Sequence, residues 1–335
     1  MSLSAVPSGT APDPVRPDPV RPDPVRPDPV HVAAALREQI ESVVRGKDDA
    51  IRLALCALLA GEHLLVEDVP GTGKTVLARS LAAALGGRFR RVQCTPDLLP
   101  SDVTGTTVYE PATSTWSFRP GPVFANVVLV DELNRASPRT QAALLEPMEE
   151  RSVSVDGTSH ALPSPFLCIA TQNPYGSAGT FPLPESQLDR FGIVLTMGIP
   201  DREAQRALLR GEGGTDALPA VEAVTSPADF DGVIADVLAL PMADAVLDYA
   251  LDLVGATRSH ADLALGASPR AAQSLVSLAR AHAIVRGRAY VSPDDLQAVF
   301  VSALAHRVVT VQGLSIATAA RVLDAILASV AIPRP

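Results

Sequence analysis

The apolar stretch 63–67 runs directly into Asp68-Val69-Pro70-Gly71-Thr72-Gly73-Lys74-Thr75, and a helical pattern opens at Val76. No other feature constrains the fold as tightly. Glycines let main-chain N–H groups turn toward one point, and the first turn of the following helix adds its positive end. Lys74 then reaches the outer phosphates of a bound nucleotide, and the Thr75 hydroxyl supplies an oxygen for magnesium. The candidate cradle is therefore Pro70, Gly71, Thr72, Gly73, Lys74, Thr75 and Val76. It departs from the strict G-x-x-x-x-G-K-[ST] pattern at Asp68, which stands where the first glycine belongs. Lysine occurs only at Lys47 and Lys74 in the whole chain, so a G-K-T step at a strand-to-helix junction is no accident of composition.

A loop of this kind needs a strand before it and a helix after it, and the chain repeats that alternation. Apolar runs at 63–67, 89–93, 127–130, 166–170 and 193–196 are separated by helical stretches such as 76–85 and 139–145. This predicts an α/β domain, a parallel sheet covered by helices on both faces. Two helices precede the first strand, one with the stripe Leu36, Ile40, Val43 and Val44, the other with Ile51, Leu55, Leu58 and Leu59. After Pro200 the strand signal stops, and 241–254, 269–286, 293–305 and 316–330 read as amphipathic helices. The predicted organisation is a disordered Pro-rich tail over 1–30, a nucleotide-binding domain over 31–200 and an all-helical domain over 201–335. Residues 211–227, rich in Gly, Ala and Pro, are expected to form a mobile connection. The tail repeats the unit D-P-V-R-P, whose prolines block helix and ladder bonds.

With 28 Lys+Arg against 37 Asp+Glu the chain carries a net charge of −9, which disfavours a general binder of nucleic-acid backbones. No apolar run approaches the length of a membrane span, and prolines and aspartates occupy the place of a secretory leader. Cys56, Cys94 and Cys168 lie far apart in apolar contexts and read as reduced, buried thiols. These features point to a soluble protein of the cytoplasm.

A second chemical element is the apolar strand 127–130 followed by Asp131 and Glu132. Asp131 would hold Mg²⁺ and Glu132 would polarise the attacking water, the two tasks that phosphoryl transfer to water requires. A third strand runs into Thr171-Gln172-Asn173-Pro174 and places Asn173 at the carboxyl edge of the sheet, where open α/β sheets bind ligands. Arg190, in Leu188-Asp189-Arg190-Phe191, and Arg270, in Gly266-Ala267-Ser268-Pro269-Arg270-Ala271, complete the candidates. An arginine in the first turn of a helix opposes the dipole and calls for a counter-anion.

Together, the loop, Asp131-Glu132-Leu133-Asn134-Arg135-Ala136, Ala170-Thr171-Gln172-Asn173-Pro174, the L-D-R-F run and the G-A-S-P-R-A run resemble the MoxR family of AAA+ ATPases over residues 32–330. The resemblance implies a P-loop NTPase core with a C-terminal helical lid. It implies ATP and Mg²⁺ bound by Walker A (Lys74, Thr75) and Walker B (Asp131, Glu132), with Asn173 as sensor 1. Arg190 would be an arginine finger reaching a neighbouring subunit, and Arg270 sensor 2. Gly46 falls in the family's adenine-side turn, where Lys47 replaces the usual glutamine. The family further implies a homo-oligomeric ring, a hexamer, that remodels or activates a partner, often one with a von Willebrand factor A domain. Two predicted hairpins, 106–109 with 115–118 and 151–155 with 159–162 around Asp156-Gly157, would line the centre of such a ring. The rival readings are a DNA-associated AAA+ motor, a metal-chelatase motor subunit, and an ATP-binding switch without turnover, the last opposed by Glu132.

Overall fold

The computed structural model describes residues 27–173 and 179–333. Helix α1 (Pro29–Val43) starts inside the stretch expected to be tail. The Asp28 carboxylate accepts a hydrogen bond from the Val30 amide at 3.3 Å, and Pro29 fills a first-turn position where a missing N–H is harmless. The rest of the expected tail, residues 1–26, lies outside the described residues. Helix α2 (Asp48–Leu59) follows, and the two predicted apolar stripes are buried.

Strand β1 (Leu64–Glu67) then leads through the glycine loop into α3 (Lys74–Ala84) and back to β2 (Phe89–Gln93). The one-turn α4 (Pro100–Thr104) opens a hairpin of β3 (Gly105–Glu110) and β4 (Thr115–Pro120). After it come β5 (Val127–Asp131), α5 (Pro138–Glu150), a hairpin of β6 (Ser152–Val155) and β7 (Thr158–Ala161), β8 (Leu167–Gln172), the short α6 (Glu185–Leu188) and β9 (Ile193–Leu195). The five strands outside the hairpins pair in the order β2-β5-β8-β1-β9, all parallel. Buried on both faces, β1, β5, β8 and β9 are near-continuous runs of Val, Ile, Leu and Ala. Edge strand β2 exposes Arg90 and Arg91. Because β8 lies between β1 and β5, the carboxyl ends of all three meet at one side, where the phosphate loop emerges.

Both hairpins form as predicted. Asp156 and Gly157 take φ of 49° and 79°, the paired left-handed turn whose twist suits a two-residue connection. The hairpins pack on each other through Phe118, which stacks on His160 at 3.9 Å.

The second half contains α7 (Arg202–Leu209), α8 (Pro227–Leu238), α9 (Asp244–Ser259), β10 (Leu263–Leu265), α10 (Pro269–Val285), α11 (Pro293–Leu304), β11 (Val309–Thr310) and α12 (Ile316–Ser329). Two expectations change here. The helical lid carries a small antiparallel ladder, β10 with β11, too short to leave a periodic signal. Residues 211–227 are not a mobile connection among the described residues. A 3₁₀ segment, Gly214–Ala220, buries Leu218, the Val224 amide donates to the Ala84 carbonyl at 2.7 Å, and the Glu222 amide donates to Gln39 Oε1 at 2.9 Å. Leu218, Val221 and Val224, spaced by three, dock a segment that its small residues made look loose. One continuous apolar core joins both halves. Cys56, Cys94 and Cys168 are free and buried, and burial pushes each thiol up to about 12.

Candidate functional site

The carboxyl ends of β1, β5 and β8 and the start of α3 enclose an open cleft of about 460 Å³. Pro70, Gly71, Gly73, Lys74, Thr75 and Val76 line it from the loop, Asp131 and Glu132 from β5, and Asn173 from β8. Gly71 (φ 84°) and Gly73 (φ 97°) both take the left-handed conformation, and Gly73 caps α3 without any side-chain acceptor. The first-turn amides of α3 are thus left for an external anion. Open space surrounds the position where a Cβ on Gly71 would stand, so the backbone there is free to meet a ligand. Lys74 Nζ donates to the Val69 carbonyl at 2.7 Å and the Asp68 carbonyl at 3.4 Å, folded over its own loop. Thr72 and Gly46 are not among the lining residues. Thr72 is buried with Oγ1 3.4 Å from the Val69 carbonyl, and Gly46 (φ 65°) packs so closely on α7 that a Cβ would meet Ala204 at 2.6 Å.

The backbone explains why Asp68 can replace a glycine: its φ is not left-handed, so no glycine is needed there. Its carboxylate ties the loop to the segment after β9, accepting from the amides of Met197 (2.9 Å) and Gly198 (2.7 Å). Lys47 meets the same segment from the other side, with Nζ 2.6 Å from both the Met197 and Gly198 carbonyls. Burial pulls the Lys47 pKa below its ordinary value, and the charges of Asp68 and Asp201 oppose that pull.

The acidic pair is held by groups the sequence did not single out. Thr171 Oγ1 donates to Asp131 Oδ1 at 2.7 Å and accepts from the Glu132 amide at 2.9 Å. Arg91 Nη2, from β2, lies 2.6 Å from Asp131 Oδ2. Glu132 sits at φ 57°, an uncommon conformation for a non-glycine residue, and its carboxylate pairs with Arg135 at 2.8 Å and Gln93 at 3.4 Å. Gln172 Nε2 donates to Glu67 at 3.2 Å, and burial raises the Glu67 carboxyl above its usual range. Among the described residues no three His, Cys, Asp or Glu side chains converge on one point. Thr75 and Asp131 both line the cleft, and with phosphate and water oxygens they could hold a divalent cation such as magnesium.

Arg190 and Arg270 are absent from this cleft and are brought together elsewhere. Glu149, at the end of α5, receives Arg270 Nη1 on Oε1 at 2.7 Å and Arg190 Nη2 on Oε2 at 3.2 Å. Arg190 Nη1 also donates to the Leu145 carbonyl at 2.7 Å. The two guanidinium groups, chiefly Arg270 through its hydrogen bond, hold the Glu149 carboxyl below the usual range. Nothing in the sequence joined residues 149, 190 and 270. The signal available was only that an arginine in the first turn of α10 wants an anion, and Glu149 is that anion in this structure.

Comparison with known proteins matches these features to recognised models. Residues 63–193 match the model of the ATPase family associated with various cellular activities (AAA), and residues 255–326 match that of the AAA lid domain. An uncharacterised Bacillus subtilis protein, YeaC, is 46% identical over 270 residues, covering 81% of this chain and 84% of its own. Chaperone MoxR1 of Mycobacterium tuberculosis is 38% identical over 88% of this chain and 81% of its own, and Protein MoxR of Methylorubrum extorquens 34% over 82% and 87%. The crystal structure of an ATPase candidate from Cytophaga hutchinsonii superposes with a TM-score of 0.83 at 33% identity, covering 91% of this chain and 96% of that one.

Proposed function

Because the chain belongs to the MoxR family of AAA+ ATPases, we propose that it hydrolyses Mg-ATP within a ring of identical subunits, a hexamer, and uses the cycle to remodel or activate a partner protein in the cytoplasm. A protein carrying a von Willebrand factor A domain is the partner class that fits the family. The relative named as a chaperone supports this direction.

Each residue has a defined task in this reading. The loop amides and Lys74 bind the β- and γ-phosphates, and Gly46 borders the adenine side. Thr75 and Asp131 would hold magnesium, which when bound draws charge from the bridging oxygen as the bond to the leaving ADP breaks. Glu132 accepts the proton of the attacking water, and Asn173 orients that water. Glu132 lines the cleft with a strained backbone whose amide is fixed on Thr171. Arg190 neutralises the developing charge on the γ-phosphate of a neighbouring subunit, and Arg270 serves as sensor 2 from the lid.

One observation carries the ring: both arginines gather on Glu149, outside the cleft of their own chain. Arginines that serve a phosphate and do not line their own phosphate site fit a site on an adjacent copy. The test is mixing. Arg190→Ala and Lys74→Ala should each lose turnover, by on the order of 10³-fold for a missing finger. Mixed assemblies should exceed the sum of their parts, because the Arg190→Ala subunit keeps an intact cleft and receives its arginine from the Lys74→Ala subunit. Mixed assemblies that form and show no gain would place Arg190 in its own site or in a purely structural role. Glu132→Gln should bind ATP, hydrolyse it slowly and retain the partner in pull-downs. Wild-type phosphate release by that variant would remove Glu132 as the base.

A further inference from the structure

The turn that carries Arg190 is gripped from the lid on both sides. Arg307, between α11 and β11, is buried to 1% exposure of its side chain. Its Nη2 donates to the Asp189 carbonyl at 3.1 Å and to Ser274 Oγ at 3.1 Å, and its Nε lies 3.2 Å from Asp189 Oδ1. The adjacent His306 donates from Nε2 to the Phe191 carbonyl at 2.6 Å. Burial holds that imidazole neutral, down to about 3, so its single N–H is committed to this carbonyl. Ser268, the cap of α10, adds a third contact, Oγ to Asp189 Oδ2 at 3.3 Å. Two residues later on α10, Arg270 shares Glu149 with Arg190.

Cohesion between lid and core does not explain this arrangement. A buried guanidinium is expensive, and Arg307 leaves both Nη1 and Nε without a hydrogen-bond partner, Nε facing Asp189 only as a charge. An apolar side chain of similar volume would join the two domains at lower cost. What an arginine adds is direction: its Nη2 holds the Asp189 carbonyl while its charge faces the Asp189 carboxylate, and His306 holds the carbonyl of Phe191. The residue between those carbonyls is Arg190.

We propose that Arg307 and His306 are positioning residues for the Arg190 turn, so that the lid of one subunit sets the arginine offered to the next subunit's γ-phosphate. The proposal rests on the reading of Arg190 as a finger acting in trans. In it, lid and finger move as one body, and a change of lid angle on nucleotide binding in one subunit is delivered to its neighbour as a change in Arg190.

The experiment is a mixing matrix with the full chain, read by phosphate release and by binding of a fluorescent ATP analogue. Arg307→Met should bind the analogue within about threefold of wild type, because its own cleft is intact. It should turn over on the order of 10²-fold more slowly, since displacements near 1 Å cost about that much. Mixed with Lys74→Ala, which offers a sound Arg190, it should regain activity. Mixed with Arg190→Ala, where neither subunit supplies a working finger, it should not. A variant that merely loosened the fold would show no such selectivity. If Arg307→Met does not bind the analogue, Arg307→Lys and His306→Gln take its place in the same matrix. Each keeps one hydrogen bond to the turn and should show the same pattern more weakly. Wild-type turnover by these variants, or equal recovery with Arg190→Ala and Lys74→Ala, overturns the proposal. Failure of the control pair, Arg190→Ala with Lys74→Ala, overturns instead the trans reading on which it stands.

Discussion

Asp68 and Lys47 grip one peptide group from opposite sides, and removing either charge should reveal their dependence on each other. The Met197–Gly198 peptide gives its N–H to Asp68 and its carbonyl oxygen to Lys47, so each charge polarises the bond the other makes. Asp68→Ala strands three amide donors, those of Val69, Met197 and Gly198, and leaves Lys47, itself 7% exposed, without its main counter-charge. Hydrogen bonds to a charged group contribute about 1.5–3 kcal/mol each, so losing the two from Met197 and Gly198 should cost about 3–6 kcal/mol. Lys47→Gln, which restores the amide usual in the family, keeps one donor and should lose about half as much. In the double variant no unpaired charge remains, and the loss should fall short of the sum by about 1–3 kcal/mol. The assay is denaturant unfolding of the nucleotide-free full chain, followed by circular dichroism, for the four members of the cycle. A parallel melt should drop by on the order of 10 °C for Asp68→Ala. Losses that add within about 0.5 kcal/mol, or an Asp68→Ala protein as stable as wild type, would refute the mutual dependence.

Thr171→Val keeps the shape of β8 but removes the hydroxyl that fixes Asp131 and the Glu132 amide. Turnover should fall by about 10- to 100-fold, equivalent to about 1–3 kcal/mol, with ATP binding little changed, and full activity in steady-state assays would show that Glu132 holds its strained backbone unaided. His63 and His306 are pushed down to about 3 by burial, against 6.5 in an unfolded chain. Between those values the unfolded chain binds protons the folded chain refuses, so stability falls as pH falls. From pH 7 to 5 the loss should be about 2 kcal/mol per histidine, and Glu67, whose pKa is raised, works the other way. Unfolding midpoints at pH 7, 6 and 5 should therefore decline more gently in His306→Gln than in wild type. Parallel declines would mean that His306 is not held neutral.

The parts of the site written in contiguous sequence were legible, because strand, turn and helix follow one another along the chain. Gly71, Gly73, Lys74, Asp131 and Glu132 needed no long-range information, and the cleft they line is where the motif placed it. The sheet was legible for a related reason, since strands covered on both faces leave unbroken apolar runs. Residues whose meaning depends on a distant partner were not. Arg91 reads as one more exposed strand residue until β2 pairs with β5 and sets it against Asp131. Thr171 stood in a recognised motif, yet its hydroxyl acquires a role only once β8 lies beside β5. Asp68 and Lys47 looked like two separate defects, whereas the fold joins them at residues 197 and 198, about 130 and 150 positions away.

The entry into the fold has a consequence for how this chain can vary. Asp28-Pro29-Val30, which caps and opens α1, is the fourth copy of the D-P-V step that also occurs at 13–15, 18–20 and 23–25. Because every copy offers the same carboxylate and the same proline, replication slippage that inserts or deletes five residues hands α1 an unchanged first turn. Gain or loss of whole five-residue units among the repeats therefore leaves the carboxylate and the proline that open α1 in place.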